Sequence, residues 1–213
     1  MSSATDAPRR RGLIPTLLLV LALIGLVSGC GAAGTGHKPA SAMTGQEHTP
    51  YEVADTALTD TAGEPYSLAN DSDRPLTLVF YGYTQCPDEC PLVMSSLTAA
   101  LTRLDKTERA KVDVVFVTTD PERDSRKVLE DYLDRYDEDF IGLTGDLKDI
   151  DTLAESMRLF IGEADRLPSG GYDLGVHDTH VSAVVDGEAR VVWSMNTSPK
   201  QFADDIHHLL SQN

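Results

Sequence analysis

Residues 76–97 read LTLVFYGYTQCPDECPLVMSSL, and this stretch decides the fold. Leu76 to Tyr81 is an unbroken apolar run of strand length, the pattern of a strand buried on both faces. A helix is predicted from about Pro91, since proline is favoured at a first helical position. Cys86 and Cys90 fall in the turn between the two elements. In an open α/β sheet, ligands gather beyond the carboxyl ends of the strands, so this order sets two thiols at the mouth of a sheet. If the turn is helical, the i, i+4 spacing stacks the sulfurs on one side. That suits either a disulfide or a two-sulfur clamp. Cys90, directly ahead of Pro91, is expected at a helix N-terminus where the dipole favours a thiolate, opposed by the charges of Asp88 and Glu89.

Working outward, strands and helices alternate. The helix after the first core strand is expected over residues 91–104. A second buried strand follows over 112–118 (VDVVFVT), then a helix over 125–136 with Asp124 as its N-cap. A short strand over 141–144 leads to a helix over 147–160 with Ile150, Leu153, Ala154, Met157 and Phe160 on one face. A long loop over 161–176 contains Pro168, Gly170 and Gly171. Two strands, 181–186 and 190–194, join through Gly187, and a last helix covers 199–210. Ahead of the core, residues 51–68 hold short alternating segments around Asp60-Thr61-Ala62-Gly63-Glu64-Pro65, the chemistry of a hairpin turn. The expected class is α/β: a thioredoxin-like mixed sheet flanked by helices, with an added amino-terminal β-hairpin.

The chain has 213 residues, a formal charge of −16 and three cysteines. So acidic a surface lacks the clustered Lys and Arg that phosphate binding needs and argues against nucleic acid. Three cysteines are too few for a disulfide-stapled scaffold, so each is read for its own chemistry. Residues 1–29 read as a signal peptide, with Arg9, Arg10 and Arg11 ahead of an apolar run too short for a comfortable transmembrane helix. Val27-Ser28-Gly29-Cys30 resembles the bacterial lipobox, which implies cleavage before Cys30 and acylation of its sulfur, by palmitate or a similar chain. The domain is then tethered to the membrane on the extracytoplasmic face. Cleavage removes three Arg and one Asp and takes the formal charge to −18. Residues 30–50 read as the lipidated cysteine and a flexible spacer, rich in Gly, Ala, Ser and Thr. His37 and His48 are taken as incidental to it. The folded domain is expected over 51–213.

A second anchor separates redox chemistry from metal binding. A thioredoxin oxidoreductase has two residues between its cysteines and a cis proline before the facing strand. Here three residues intervene, and YDLGVHDTH, without proline, precedes Val181. Two thiolates and an imidazole make a soft donor set that favours copper(I), and holds copper(II) if another ligand joins. Zinc in a structural site wants a fourth ligand.

Residues 81–91 (YGYTQCPDECP), residues 115–124 (VFVTTDPERD) and the distal histidine together resemble the Sco/SenC family of copper proteins serving cytochrome c oxidase assembly. The resemblance implies one copper ion held by Cys86, Cys90 and His177, and delivery to the binuclear copper centre of oxidase subunit II. It also implies traffic with other copper donors or thiol reductases. His177 is preferred over His180, because residues three apart in an extended chain point to opposite faces. In many family members the histidine follows an aspartate, whereas here Val176 precedes it. Asp120 to Asp124 read as helix-entry chemistry that also borders the site, Trp193 as core, and His207 and His208 as solvated residues near a helix end. A redox disulfide between Cys86 and Cys90 would abolish the metal site. Two other readings stay open. One is an extracytoplasmic thiol-disulfide reductase that keeps oxidase or other cysteines reduced. The other is a peroxiredoxin-like enzyme, against which the Thr84-Gln85-Cys86 spacing is one residue short.

Overall fold

Strands Gln46–Glu52 (β1), Ala57–Asp60 (β2), Pro65–Ser67 (β3) and Leu76–Gly82 (β4) lead into helix Glu89–Leu101 (α1) and the short helix Lys106–Arg109 (α2). Strand Val112–Thr118 (β5), helix Arg126–Leu133 (α3), strand Ile141–Thr144 (β6) and helix Leu147–Ser156 (α4) follow. A 3-10 turn at Ile161–Glu163 precedes a two-stranded ribbon, Asp165–Arg166 (β7) with Tyr172–Asp173 (β8). Strands His180–Val185 (β9) and Glu188–Ser194 (β10) and helix Pro199–Ser211 (α5) complete the chain. The computed structural model describes residues 43–174 and 179–212.

The main sheet has the order β1-β10-β9-β4-β5-β6-β2-β3. β4, β5 and β6 run parallel and the remaining pairs antiparallel, so the expected mixed sheet is present. Every residue of β4 and β5 is buried, as their continuous apolar sequences require when both faces are covered. On one face Leu76, Leu78 and Phe80 pack with Phe116, Val181 and Trp193 under α1, α3 and α5. On the other, Val79, Tyr81, Val115 and Val117 pack with Ile150, Leu153 and Ala154 of α4 and with Leu159, Ile161 and Tyr172 beyond it. Trp193, 1% exposed, lies in the core as expected.

This topology fixes the site. The loops that leave β4 and β5 emerge side by side at the carboxyl end of the parallel pair, where Gly82 stands opposite Thr118. β9 runs antiparallel to β4 with Val181 opposite Phe80, so the residues ahead of Val181 enter at that same end.

Several boundaries differ from the sequence reading, each for a local reason. α1 begins at Glu89, which puts Cys90 and Pro91 inside its first turn, where the missing proline N–H is unneeded. α3 is capped by Ser125, whose hydroxyl accepts the Val128 N–H at 3.4 Å, and not by Asp124, which is turned inward. α4 ends at Ser156 instead of continuing to Phe160, because Arg158 adopts the left-handed conformation with φ 63°. Phe160 is therefore 51% exposed, off the apolar face expected of it. The hairpin turn of β9 and β10 uses Asp186 and Gly187, both at positive φ, as two-residue hairpins prefer.

The spacer expected up to residue 50 is shorter than read. Residues from Met43 belong to the folded unit, and β1 pairs with β10 as an edge strand. The start of this segment is clasped by the buried carboxylate of Asp205 in α5. Asp205 accepts the Thr44 N–H at 3.1 Å, the Gly45 N–H at 2.8 Å and the Trp193 indole N–H at 2.7 Å. The expected signal peptide, Cys30 and His37 lie outside the described residues. Among the described residues no helix is long and apolar enough to cross a membrane.

Candidate metal centre

Cys86 ends the loop that follows β4, and Cys90 sits in the first turn of α1. Both thiols are free and buried, at 7% and 4% exposure. The Cys90 backbone N–H donates to the Cys86 sulfur at 3.3 Å, so the first cysteine receives one of the unpaired amides of the helix N-terminus. Hydrogen bonding from the Cys90 thiol, with backbone N–H groups adding to it, lowers Cys86 to about 7. Cys90 is pushed far up by the same thiol–thiol bond and by burial. The sequence reading placed the stabilised thiolate on Cys90. The roles are reversed, because the backbone N–H groups of Asp88 and Cys90 at the start of α1 bond to the Cys86 sulfur while Cys90 lies deeper in the core.

The thiols border a void of about 10 Å³, enclosed by Tyr81, Gly82, Glu89, Asp173, Leu174 and Thr179 among others. A space of that size admits one atom-sized guest. Gly82 makes it possible, since a Cβ there would stand 2.8 Å from Cys90 Sγ. Tyr83 donates its hydroxyl to Asp173 at 3.2 Å, and burial beside that carboxylate raises its phenol well above the ordinary range. Thr119 ties the far side. Its hydroxyl donates to the Tyr172 carbonyl at 2.7 Å, and its carbonyl accepts the Tyr172 N–H at 2.9 Å.

The 120–124 segment is the frame of this site. Asp124, 1% exposed, accepts the Thr84 N–H at 2.9 Å, the Thr84 hydroxyl at 2.6 Å and the Thr118 hydroxyl at 2.7 Å. One carboxylate thus joins the cysteine loop to the end of β5. Arg123 pairs with the fully buried Asp120, donates to Gln85 Oε1 at 3.2 Å and stands 5.9 Å from the Tyr83 ring centroid. These contacts were not legible in the sequence. An Asp beside a Ser reads as a cap, and only the parallel register of β4 and β5 aims it at Thr84.

The histidines divide. β9 alternates, with Val181, Ala183 and Val185 in the cluster that holds the cysteines. His180 and Ser182 line a second cavity on the other side of the strand, and Thr179 borders both that cavity and the thiol void. His177 lies outside the described residues. Thr179, which borders the thiol void, is the residue that the chain reaches two positions later. His48 is in β1, stacked on Tyr51. His207, exposed at the surface, pairs with Glu108, which raises its pKa. Among the described residues no three His, Cys, Asp or Glu side chains are grouped to hold a metal.

A sheet of this order with two thiols at the carboxyl end of its parallel core is a thioredoxin-like fold with a sulfur site, and the comparisons agree. The SCO1/SenC family model matches residues 44–211, and the chain belongs to that family. A SCO2-like protein of Rickettsia felis is 30% identical over 153 residues, covering 68% of this chain and 73% of its own length. The solved apo Sco1 protein of Thermus thermophilus superposes with a TM-score of 0.67 at 27% identity, over 81% of this chain and 98% of that one. A Bradyrhizobium japonicum ScoI structure with copper bound gives 0.60 at 27% identity, over 77% and 99%.

Proposed function

We propose that this protein is a membrane-tethered copper carrier for cytochrome c oxidase assembly. It holds one copper ion between Cys86, Cys90 and His177 and delivers it to the binuclear copper centre of oxidase subunit II. The observation that carries the reading is the pair of free thiols around an atom-sized void, one of them lowered to about 7. A thiolate is available there near neutral pH, and the second thiol loses its proton to the incoming metal, as ligation by sulfur requires. Two sulfurs and one imidazole suit copper(I), and copper(II) with a further ligand. The copper-bound Bradyrhizobium relative supports the cargo. His177 is kept as the third donor on the family resemblance, and the alternation of β9, which sets His180 off the face of Val181 and along another cavity, supports that choice.

Release follows by ligand exchange, the acceptor's thiolates replacing Cys86 and Cys90 one at a time. Exchange with an external disulfide, which takes up the two electrons and two protons and leaves as two thiols, would oxidise the pair, remove both sulfur ligands and gate uptake by redox state. The lipobox ending in Cys30 supplies the anchor on the extracytoplasmic face.

Anaerobic copper titration of the reduced full-length chain tests the proposal, read by thiolate-to-copper charge-transfer absorption. The expected result is one ion per chain, affinity lowered at least ten-fold by His177→Ala and unchanged by His180→Ala. A folded, reduced protein that takes up no copper ends the proposal. Loss of binding in His180→Ala alone moves the third ligand.

The lowered Cys86 also favours a second reading, a thiol-disulfide reductase acting on oxidase cysteines. His177→Ala would leave that activity intact while removing tight copper binding.

A further inference from the structure

A cavity of about 600 Å³ lies on the face of β9 and β10 turned away from the thiols. β1 contributes His48 and Tyr51 to it, β9 His180 and Ser182, and the end of α4 Met157 and Arg158. Its described lining holds one guanidinium, two imidazoles, several hydroxyls and amides, and no carboxylate. That composition runs against the chain, where 34 Asp and Glu outnumber 18 Lys and Arg.

Arg158 is the informative residue. The end of α4 closes with the Arg158 N–H on the Glu155 carbonyl and the Leu159 N–H on the Ala154 carbonyl, both at 3.0 Å. This paired pattern places the intervening residue in the left-handed region and ordinarily takes glycine. Arg158 occupies it at φ 63°, a conformation that Cβ crowding disfavours. A cation here complements the dipole at the end of α4, but that gain is open to any residue of the last turn and does not require the left-handed position. The guanidinium carbon stands 5.0 Å from the Tyr51 ring centroid, and Tyr51 stacks on His48 at 4.8 Å. Among the described residues Arg158 has no carboxylate partner. In a strongly acidic protein, a left-handed residue whose guanidinium meets no described carboxylate, at the rim of a cavity whose described lining holds none either, fits a ligand clamp.

We infer that this cavity binds a small organic anion, its carboxylate or phosphate group held by Arg158 and the rest of it among the hydroxyls and amides of the lining. The planar fork of a guanidinium matches an oxyanion in two parallel hydrogen bonds. The volume is that of a small-molecule site, not of an inorganic ion. The inference is independent of the copper reading, since it uses neither cysteine.

Calorimetric titration of the reduced, copper-free full-length chain in detergent tests it, with citrate and glycerol 3-phosphate as probes and choline as a cationic control. Saturable binding of at least one anionic probe, and none of choline, is the expected result. Arg158→Gln weakens that binding about ten-fold with little change in Tm. Arg158→Gly weakens it equally yet raises Tm by about 2–4 °C, because glycine relieves the left-handed strain. Copper uptake is unchanged in both variants. If Arg158 only braces Tyr51, the glycine variant instead loses Tm and binds the anion as before. That outcome overturns the inference, as does the lack of saturable binding of either anionic probe at millimolar concentration.

Discussion

Gly82 owes its identity to a sulfur atom. An added Cβ would approach Cys90 Sγ to 2.8 Å and the rings of Phe80 and Phe116 to 3.2 and 3.3 Å. The two rings are fully buried and the sulfur must move to make room, so Gly82→Ala should cost about 1–3 kcal/mol in urea unfolding and slow copper uptake. An unchanged midpoint would show that the thiol can shift. Asp124 is a second single-residue lever, because removing its carboxylate strands three donors in the interior. Asp124→Ala should lower stability by about 3 kcal/mol and loosen the cysteine loop, seen as faster amide exchange at Thr84. For Cys86 the sign is set by its lowered pKa. Below about 7 the thiol keeps its proton and reacts slowly, and above it the thiolate dominates. Iodoacetamide should therefore label Cys86 with a rate that rises through a midpoint near 7, while Cys90, pushed upward, lags. Equal rates at the two cysteines would contradict the assignment.

At the level of elements, what could be read from the chain was whatever depends on burial along a period. β4 and β5 are apolar at nearly every position, so their extents were plain from the sequence, and the short strand at Ile141–Thr144 came out residue for residue. Helix ends obey local contests that periodicity does not see. Ser125 and Asp124 are both able caps, and tertiary hydrogen bonding decides between them by drawing Asp124 inward. β1 was hidden for the opposite reason, since QEHTPYE shows no apolar alternation and is fixed by pairing with β10 and by Asp205. Of the site, the two cysteines were legible from their place between strand and helix, whereas the carboxylate frame behind them depends on register between distant strands. α5 offers a clean test of local signals, with Ser198 and Gln201 forming a reciprocal cap and Pro199 opening the helix. Ser198→Ala should lower stability by about 1 kcal/mol, visible as a Tm drop of about 2–4 °C with copper binding unaltered.

For the molecule as a whole, family membership rests on residues 44–211, so the thiols, their frame and the far cavity belong to one folded unit starting at Met43. Ligand linkage makes copper a global probe of that unit. Addition of copper(I) to the reduced protein should raise Tm in proportion to the logarithm of free metal over Kd. Cys86→Ser or Cys90→Ser should abolish the rise, and a rise that persisted would place the metal elsewhere. The Asp205 clasp carries a mechanical consequence. The chain enters the folded unit at an edge strand, and β10 and β9 stand between that strand and β4. A pull on the segment ahead of Met43 is then taken up by the contacts of Thr44 and Gly45 with α5. Force applied through that segment would fray this border first and leave the sulfur pocket, two strands away, at its resting shape.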